Sequence, residues 1–407
     1  LNIKQAYTEL DRVFTSFGGL ENGGITRLLY TKEWEQAINH LKLLLKNEDF
    51  EVRSDDIGNL IGRIEGTTHH KETIMAGSHI DTVVEGGHLD GQYGILAAFL
   101  AMKYLKDTYG KPKRSLELLV LAEEEGSRFP YTFWGSKNFF NIAKPEDVAG
   151  ITDDEGILFE DAMHKSGYDF RKKDYPHNDL KAFIEMHIEQ GKVLEAEEKQ
   201  IGVVTSIVGQ KRYTVKLVGE TNHAGTTPMG MRRDVMVAYA EIIQTLTKRA
   251  REEGDPLVVT FGQVSLTPNV VNVVPGEIEF TVDTRHDDAA KLKAFSEEVE
   301  STIQDIANAH KLNVEMDCWM DEAPTQLDAN IVHDIEQAAS LRAPGKYKRM
   351  SSGGGHDAQI FAQHVPTGMI FVPSIDGISH SPEEDTDIDD LVKGIEVMAE
   401  VLYQLAY

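Results

Sequence analysis

The sequence predicts an α/β protein: a main domain on a mixed, mostly parallel sheet flanked by helices, with an inserted ferredoxin-like α+β domain. Three observations predict it. Residues 115–122 form a near-continuous apolar run of strand length, the pattern of a strand buried on both faces as in a parallel sheet. Residues 212–218 alternate instead, as a strand with one solvated face does. Between about Gly209 and Pro324 the elements read β-α-β-β-α-β, the ferredoxin-like order.

Taken in order, residues 1–50 read as helices, with Trp34, Ile38, Leu41 and Leu45 at helical spacing. The loop 18–27 between them is too glycine-rich for regular structure. Short strands follow near 59–64 and 73–76, then a helix at about 95–106 and the buried strand 115–122. Residues 182–186 are a further apolar strand. In the insert, strand 212–218 precedes a helix over 234–249, strands over 258–266 and 277–283, a helix over 289–310 and a strand over 313–319. The main domain resumes with strand 368–372. A chain of 407 residues exceeds one compact core, and the pattern divides it into 1–208, 209–325 and 326–407.

Composition excludes several classes of function. A formal charge of −26 argues against nucleic acid, whose phosphates call for basic stripes. No stretch approaches the roughly 20 apolar residues of a membrane span, and no signal peptide opens the chain. The single cysteine, Cys318, excludes an internal disulfide and fits a reducing compartment, so a cytoplasmic protein is expected. It also leaves His, Asp and Glu as the ligands for any metal.

Such residues recur at one address. His79 and Asp81 follow strand 73–76, and a glycine-rich loop then delivers Asp90 to the next helix. Glu123, Glu124 and Glu125 follow strand 115–122, His187 follows 182–186, and a loop after 368–372 reaches His380. In open α/β sheets ligands bind past the C-terminal ends of the strands. One histidine there would be structural, and three adjacent carboxylates could be an acidic turn in solvent. Their coincidence points to a divalent metal site. Two ions about 3.5–4 Å apart share a bridging carboxylate in many hydrolases, and they lower the pKa of bound water from about 15.7 toward about 7. Asp90 is the natural bridge, giving His79–Asp90–His187 and Asp90–glutamate–His380. Of the adjacent glutamates one could be a ligand and the other a general base.

The insert adds His223, Asn272 and Arg285. Arg285, at a strand end, could grip a carboxylate with its planar fork, and His223 could donate to an oxyanion. Taken singly, Arg285 reads as a surface charge and Asn272 as a turn former.

The motifs Gly-Ser-His-Ile-Asp (77–81), Glu-Glu-Glu-Gly-Ser-Arg-Phe (123–129), His-Ile-Glu-Gln-Gly (187–191), Asn-His-Ala-Gly-Thr-Thr-Pro-Met (222–229) and Ser-His-Ser-Pro (379–382) together resemble one family. It is the dinuclear amidases of the aminoacylase-like metallopeptidase clan, which hydrolyse N-carbamoyl groups. The similarity runs the whole length, and stretches 26–34, 133–138 and 371–380 favour the branch acting on allantoate. The resemblance implies hydrolysis of allantoate to ureidoglycine, ammonia and carbon dioxide by metal-bound hydroxide attacking a ureido carbonyl. It implies two divalent ions per subunit, Zn²⁺ or Mn²⁺, held by His79, Asp90 (bridging), Glu125, His187 and His380, with Glu124 as general base. Gln190, His223, Asn272, Arg285 and Gly355 fall on substrate-contacting positions. The insert becomes a lid through which two chains dimerise, His223 coming from the partner, and the flanking segments become the catalytic domain. The alternatives are an N-carbamoyl-L-amino-acid hydrolase and a metal-stabilised dimer that binds a ureido ligand without turning it over.

Overall fold

A computed structural model describes residues 2–407. It divides into two compact units, one running to Thr205 and resuming from Leu327 to Tyr407, the other Ser206–Gln326.

In the first unit, helices α1 (Ile3–Thr15) and α2 (Lys32–Asn47) both start on side-chain caps, Asn2 accepting from the Gln5 N–H and Thr31 from the Trp34 N–H. Helix α2 buries Trp34, Ile38, Leu41 and Leu45, the stripe its spacing predicts. The Trp34 indole also donates to the Ala122 carbonyl at 2.9 Å, just before the glutamate cluster. Strands β1 (Glu51–Ser54), β2 (Leu60–Ile64) and β3 (His69–His79) follow. Helix α3 (Gln92–Tyr109) starts three residues before the periodicity suggests, because Gly91 caps it. After β4 (Arg114–Leu121), buried along nearly its whole length, come short helices α4 (Trp134–Phe139) and α5 (Phe159–Lys165). Strand β5 (Leu180–Ile188), helix α6 (Val193–Ala196) and strand β6 (Ile201–Ile207) lead into the insert.

The insert contains β7 (Gly209–Val218), β8 (Asn222–His223), α7 (Val235–Glu253), β9 (Val258–Thr260), β10 (Val264–Thr267), β11 (Val273–Val274), β12 (Glu277–His286), α8 (Ala289–Ala309), β13 (Asn313–Glu322) and β14 (Thr325–Gln326). Its main sheet runs β10-β12-β7-β13, every pair antiparallel, which is the ferredoxin-like order. The alternation in β7 buries Tyr213, Val215 and Leu217 against Ile242 and Leu246 of α7 and Val299 and Ile303 of α8. Burying each such aliphatic side chain stabilises by about 1.5–3 kcal/mol. The expected single strand over 258–266 is instead two, β9 and β10. Both pair with β12, but the register slips by one residue across Gly262, as at a β-bulge.

The chain re-enters the first unit through α9 (Ala329–Arg342), β15 (Tyr347–Ser352), α10 (Asp357–Phe361), β16 (Thr367–Val372) and α11 (Ile388–Ala406). The sheet order is β1-β2-β4-β3-β5-β16-β6-β14. Its four central strands, β4-β3-β5-β16, are parallel, the pairs β1-β2, β2-β4, β16-β6 and β6-β14 are antiparallel, and β15 also pairs with β6. The C-terminal ends of these four central strands therefore lie along one edge. No helix among the described residues is long and apolar enough to cross a membrane.

Candidate metal centre

Each central strand delivers a polar side chain at that edge. Strand β3 ends in His79, β4 leads to Glu124 and Glu125, His187 is the penultimate residue of β5, and the loop after β16 carries His380. Asp90 lies in their midst. Its Oδ1 is 3.2 Å from His79 Nε2 and 3.1 Å from His187 Nε2. Its Oδ2 is 3.2 Å from His380 Nε2, which in turn is 3.2 Å from Glu125 Oε1. Ligand atoms of His79–Asp90–His187, of Asp90–Glu125–His380 and of His79–Glu124–Glu125 each lie within 4.8 Å of one another. The five residues placed as ligands from sequence, and Glu124, are thus brought together.

The donor set fits divalent cations. His187 Nδ1 donates to the Ile188 carbonyl at 2.9 Å, and His79 Nδ1 faces the Asp81 carbonyl and carboxylate at 3.1 and 3.2 Å. With those protons on Nδ1, each Nε2 presents a lone pair to an Asp90 oxygen. Lone pairs so close repel unless a cation stands between them. Electrostatics says the same from the other side. Burial, and next the Glu125 carboxylate, holds Glu124 well above the usual carboxylate range, and burial followed by Asp90 raises Glu125. His380 is pushed up to about 10, first by its hydrogen bond to Asp90 and then by that to Glu125. The cluster favours positive charge.

Backbone geometry fixes these positions. Gly91 has φ +64°, and a Cβ on it would lie 2.5 Å from the His79 ring, so only glycine lets the chain pass so close to His79 directly after Asp90. Gln190 and His380 both hold left-handed backbone, φ +57° and +55°, the kind of strain that clusters at functional sites.

Three carboxylates take supporting positions that the sequence did not assign to them. Asp81 faces His79 and also accepts the Glu124 and Glu125 N–H groups, at 3.0 and 3.1 Å. It thereby aims a histidine and sets the glutamate turn. Glu185, wholly buried in the middle of β5, accepts from Ser78 Oγ at 2.9 Å and the Ala358 N–H at 2.8 Å. Glu384 ties two ligand loops together. The available signal was an acid at i+2 from His79, at i−2 from His187 and at i+4 from His380.

Of the expected substrate contacts, Gln190 donates to Asp90 Oδ2 at 2.7 Å and lies 3.4 Å from His380 Nε2. The glycine loop holding Gly355 lies beside it: a Cβ on Gly354 would come 3.2 Å from Gln190 Oε1, and one on Gly355 3.2 Å from the Phe133 ring. In the insert, β8 and β11 pair, bringing exposed His223 beside the Asn272 turn, whose carbonyl accepts the Ala224 N–H at 3.0 Å. His223 Nδ1 accepts from the Gly225 and Thr226 N–H groups at 3.0 and 3.3 Å, so its neutral ring carries the proton on exposed Nε2. Arg285 lies near the far end of β12, its Nε and one terminal nitrogen on the Asp283 carboxylate at 3.1 and 3.0 Å.

The buried His/Asp/Glu cluster at the C-terminal edge of the parallel strands could hold metal, and the chain belongs to peptidase family M20/M25/M40, whose profile matches residues 75–404; the family and the relatives make it a metal-dependent hydrolase of carbon–nitrogen bonds. Within the family it is similar to the allantoate amidohydrolase of Escherichia coli (strain K12), 50% identical over 407 residues that span all of this chain and 99% of that protein. The allantoate amidohydrolase of Bacillus subtilis (strain 168) is 42% identical, covering 100% of this chain and 99% of its own. The N-carbamoyl-L-amino-acid amidohydrolase of Paenarthrobacter aurescens is 36% identical over 95% of this chain and 94% of its own. Among solved structures, an amidase of the hydantoinase/carbamoylase family from Burkholderia multivorans superposes with a TM-score of 0.93 at 31% identity, covering 100% of this chain and 98% of that one.

Proposed function

We propose that the chain hydrolyses allantoate to ureidoglycine, ammonia and carbon dioxide with the help of two divalent ions. The observation that carries the two-ion reading is Asp90, whose Oδ1 faces two histidines while Oδ2 faces a third. His79, Asp90 and His187 would hold one ion, and Asp90, Glu125 and His380 the other. Zn²⁺ and Mn²⁺ both suit these nitrogen and oxygen donors. Such ions, when bound, polarise a carbonyl and acidify a water. Glu124, not needed as a ligand, takes the water's proton and passes it to the leaving nitrogen. Gln190, Asn272 and the Gly355 loop orient the substrate by hydrogen bonds. Arg285, whose fork also meets the Asp283 carboxylate, would pair with the substrate carboxylate. His223 donates from Nε2 to the oxygen that gains charge.

The choice of allantoate rests on 50% identity along the whole chain with a protein of that activity. The similarity to an N-carbamoyl-L-amino-acid amidohydrolase supports the second reading. Ammonia release from allantoate and from a panel of N-carbamoyl amino acids, with added zinc or manganese, separates them. Allantoate should lead by several orders of magnitude, because polar groups built for its second ureido group go unpaired with an apolar substituent. Preference for an N-carbamoyl amino acid would assign the second reading. No turnover of any of them would leave a ureido-binding protein, which has no use for Glu124.

Residues 1–208 and 326–407 then form the catalytic domain, and 209–325 a lid through which two chains dimerise, in the cytoplasm. Exposed Met236 and Val237 on α7 and Val264 on edge strand β10 support the dimer. If His223 serves the partner's substrate, Glu124→Gln chains mixed with His223→Ala chains regain activity, since each heterodimer holds one intact site. About half the dimers are mixed, so about a quarter of wild-type activity is expected. No recovery after confirmed subunit exchange assigns His223 to its own chain.

A further inference from the structure

We infer that Glu384 is a positioning residue whose carboxylate clamps the Asp90 loop to the His380 loop, one oxygen to each, and so sets the affinity of the second ion. The inference rests on the two-ion reading above. Glu384 Oε1 accepts the Leu89 N–H at 2.9 Å and the Asp90 N–H at 3.0 Å. Its Oε2 accepts from Ser379 Oγ at 2.8 Å and from the His380 N–H at 3.2 Å. All four donors are held by one side chain that is only 2% exposed.

The two loops are distant in sequence, one between β3 and α3 and the other between β16 and α11. Metal–ligand distances must hold to about 0.2 Å, so two loops that each carry one ligand need a common reference. Glu384 supplies it through backbone N–H groups of the ligand residues themselves. The loop is moulded to the carboxylate: a Cβ on Gly87 would fall 2.2 Å from it, so residue 87 has room only as glycine. On the other side, the bond to the His380 N–H holds a residue whose backbone is left-handed at φ +55°. His79 and His187 are held otherwise, by Asp81 and the Ile188 carbonyl. Losing Glu384 should therefore free two residues of the Asp90–Glu125–His380 set, Asp90 and His380, but only Asp90 of the His79–Asp90–His187 set, and so loosen the second ion more than the first.

Glu384→Gln tests this with little change of volume. Its amide keeps one accepting oxygen but turns an N–H group toward the His380 N–H or the Asp90 N–H. Metal-stripped protein is titrated with Zn²⁺, and separately with Mn²⁺, against a chromophoric chelator. His380→Ala and His187→Ala identify which of two binding steps belongs to which ion. Glu384→Gln should weaken the His380-dependent step by about 10–100-fold and the other by less than about threefold, the range for removing a group that orients ligands. The thermal midpoint of the metal-stripped protein should stay near wild type, which a merely structural role would not allow. Ser379→Ala, which removes one arm and no charge, should weaken the same step by about two- to tenfold, and it decides the question if Glu384→Gln does not fold. Equal weakening of both steps, or none in either variant, overturns the clamp. If neither His380→Ala nor His187→Ala removes a step, the two-ion reading itself fails, whatever Glu384 does.

Discussion

Asp90→Ala is expected to lose both metal ions and all turnover, a greater loss than any single histidine substitution causes. The reason is its place in the geometry. One oxygen meets His79 and His187, and the other meets His380, so among the described residues Asp90 is the carboxylate that groups with all three histidines. Removing it leaves two histidines on one side and His380 with Glu125 on the other, too few protein ligands for either ion. The histidines and Glu125 would also face one another without the carboxylate that balances them. Elemental analysis of the purified variant is the check. Two metals per chain in Asp90→Ala would remove it as the bridge.

Glu124→Gln should behave differently, keeping its metals and its substrate affinity while turnover falls by roughly 10²–10⁴-fold, the usual worth of a positioned general base. The amide has nearly the shape of the carboxylic acid but cannot take a proton from water. The surroundings favour this assignment. Glu125 is within 3.2 Å of His380 and groups with Asp90 and His380, whereas the one metal group that includes Glu124, His79–Glu124–Glu125, contains neither Asp90 nor His380. Both turn on the same anchor, since Asp81 accepts their two N–H groups. Steady-state kinetics beside metal content decides. Near-full activity in Glu124→Gln, with metals retained in Glu125→Gln, would exchange the two roles.

Much of this architecture was legible in the sequence, for a local reason. Strands buried on both faces are mostly apolar, so β4, interrupted by Glu117, and β16 show as near-continuous runs, and a polar residue just past the end of each is conspicuous. The half-exposed strands of the insert show equally well, because Tyr213, Val215 and Leu217 alternate with polar Arg212, Thr214 and Lys216. What stayed hidden depends on partners distant in the chain. Glu384 reads as one acid among several in a polar loop, and its four donors lie in two segments that only folding brings together. Asp81 reads as one more candidate ligand, and its hold on the glutamate turn crosses from β3 to β4. Glu185 is a buried acid inside a run called apolar, satisfied by Ser78 and the start of α10. The slip across Gly262 was invisible for a similar reason: register belongs to the pair of strands, not to either one alone.

The claim on which the rest depends is that Asp90 lies between two ions. Crystals grown with Mn²⁺ or Zn²⁺ and measured at that metal's absorption edge test it most directly. The account predicts two anomalous peaks about 3.5–4 Å apart, one beside His79, His187 and Asp90 Oδ1, the other beside Glu125, His380 and Asp90 Oδ2. A single peak, or two peaks with Asp90 bound to only one of them, would contradict it.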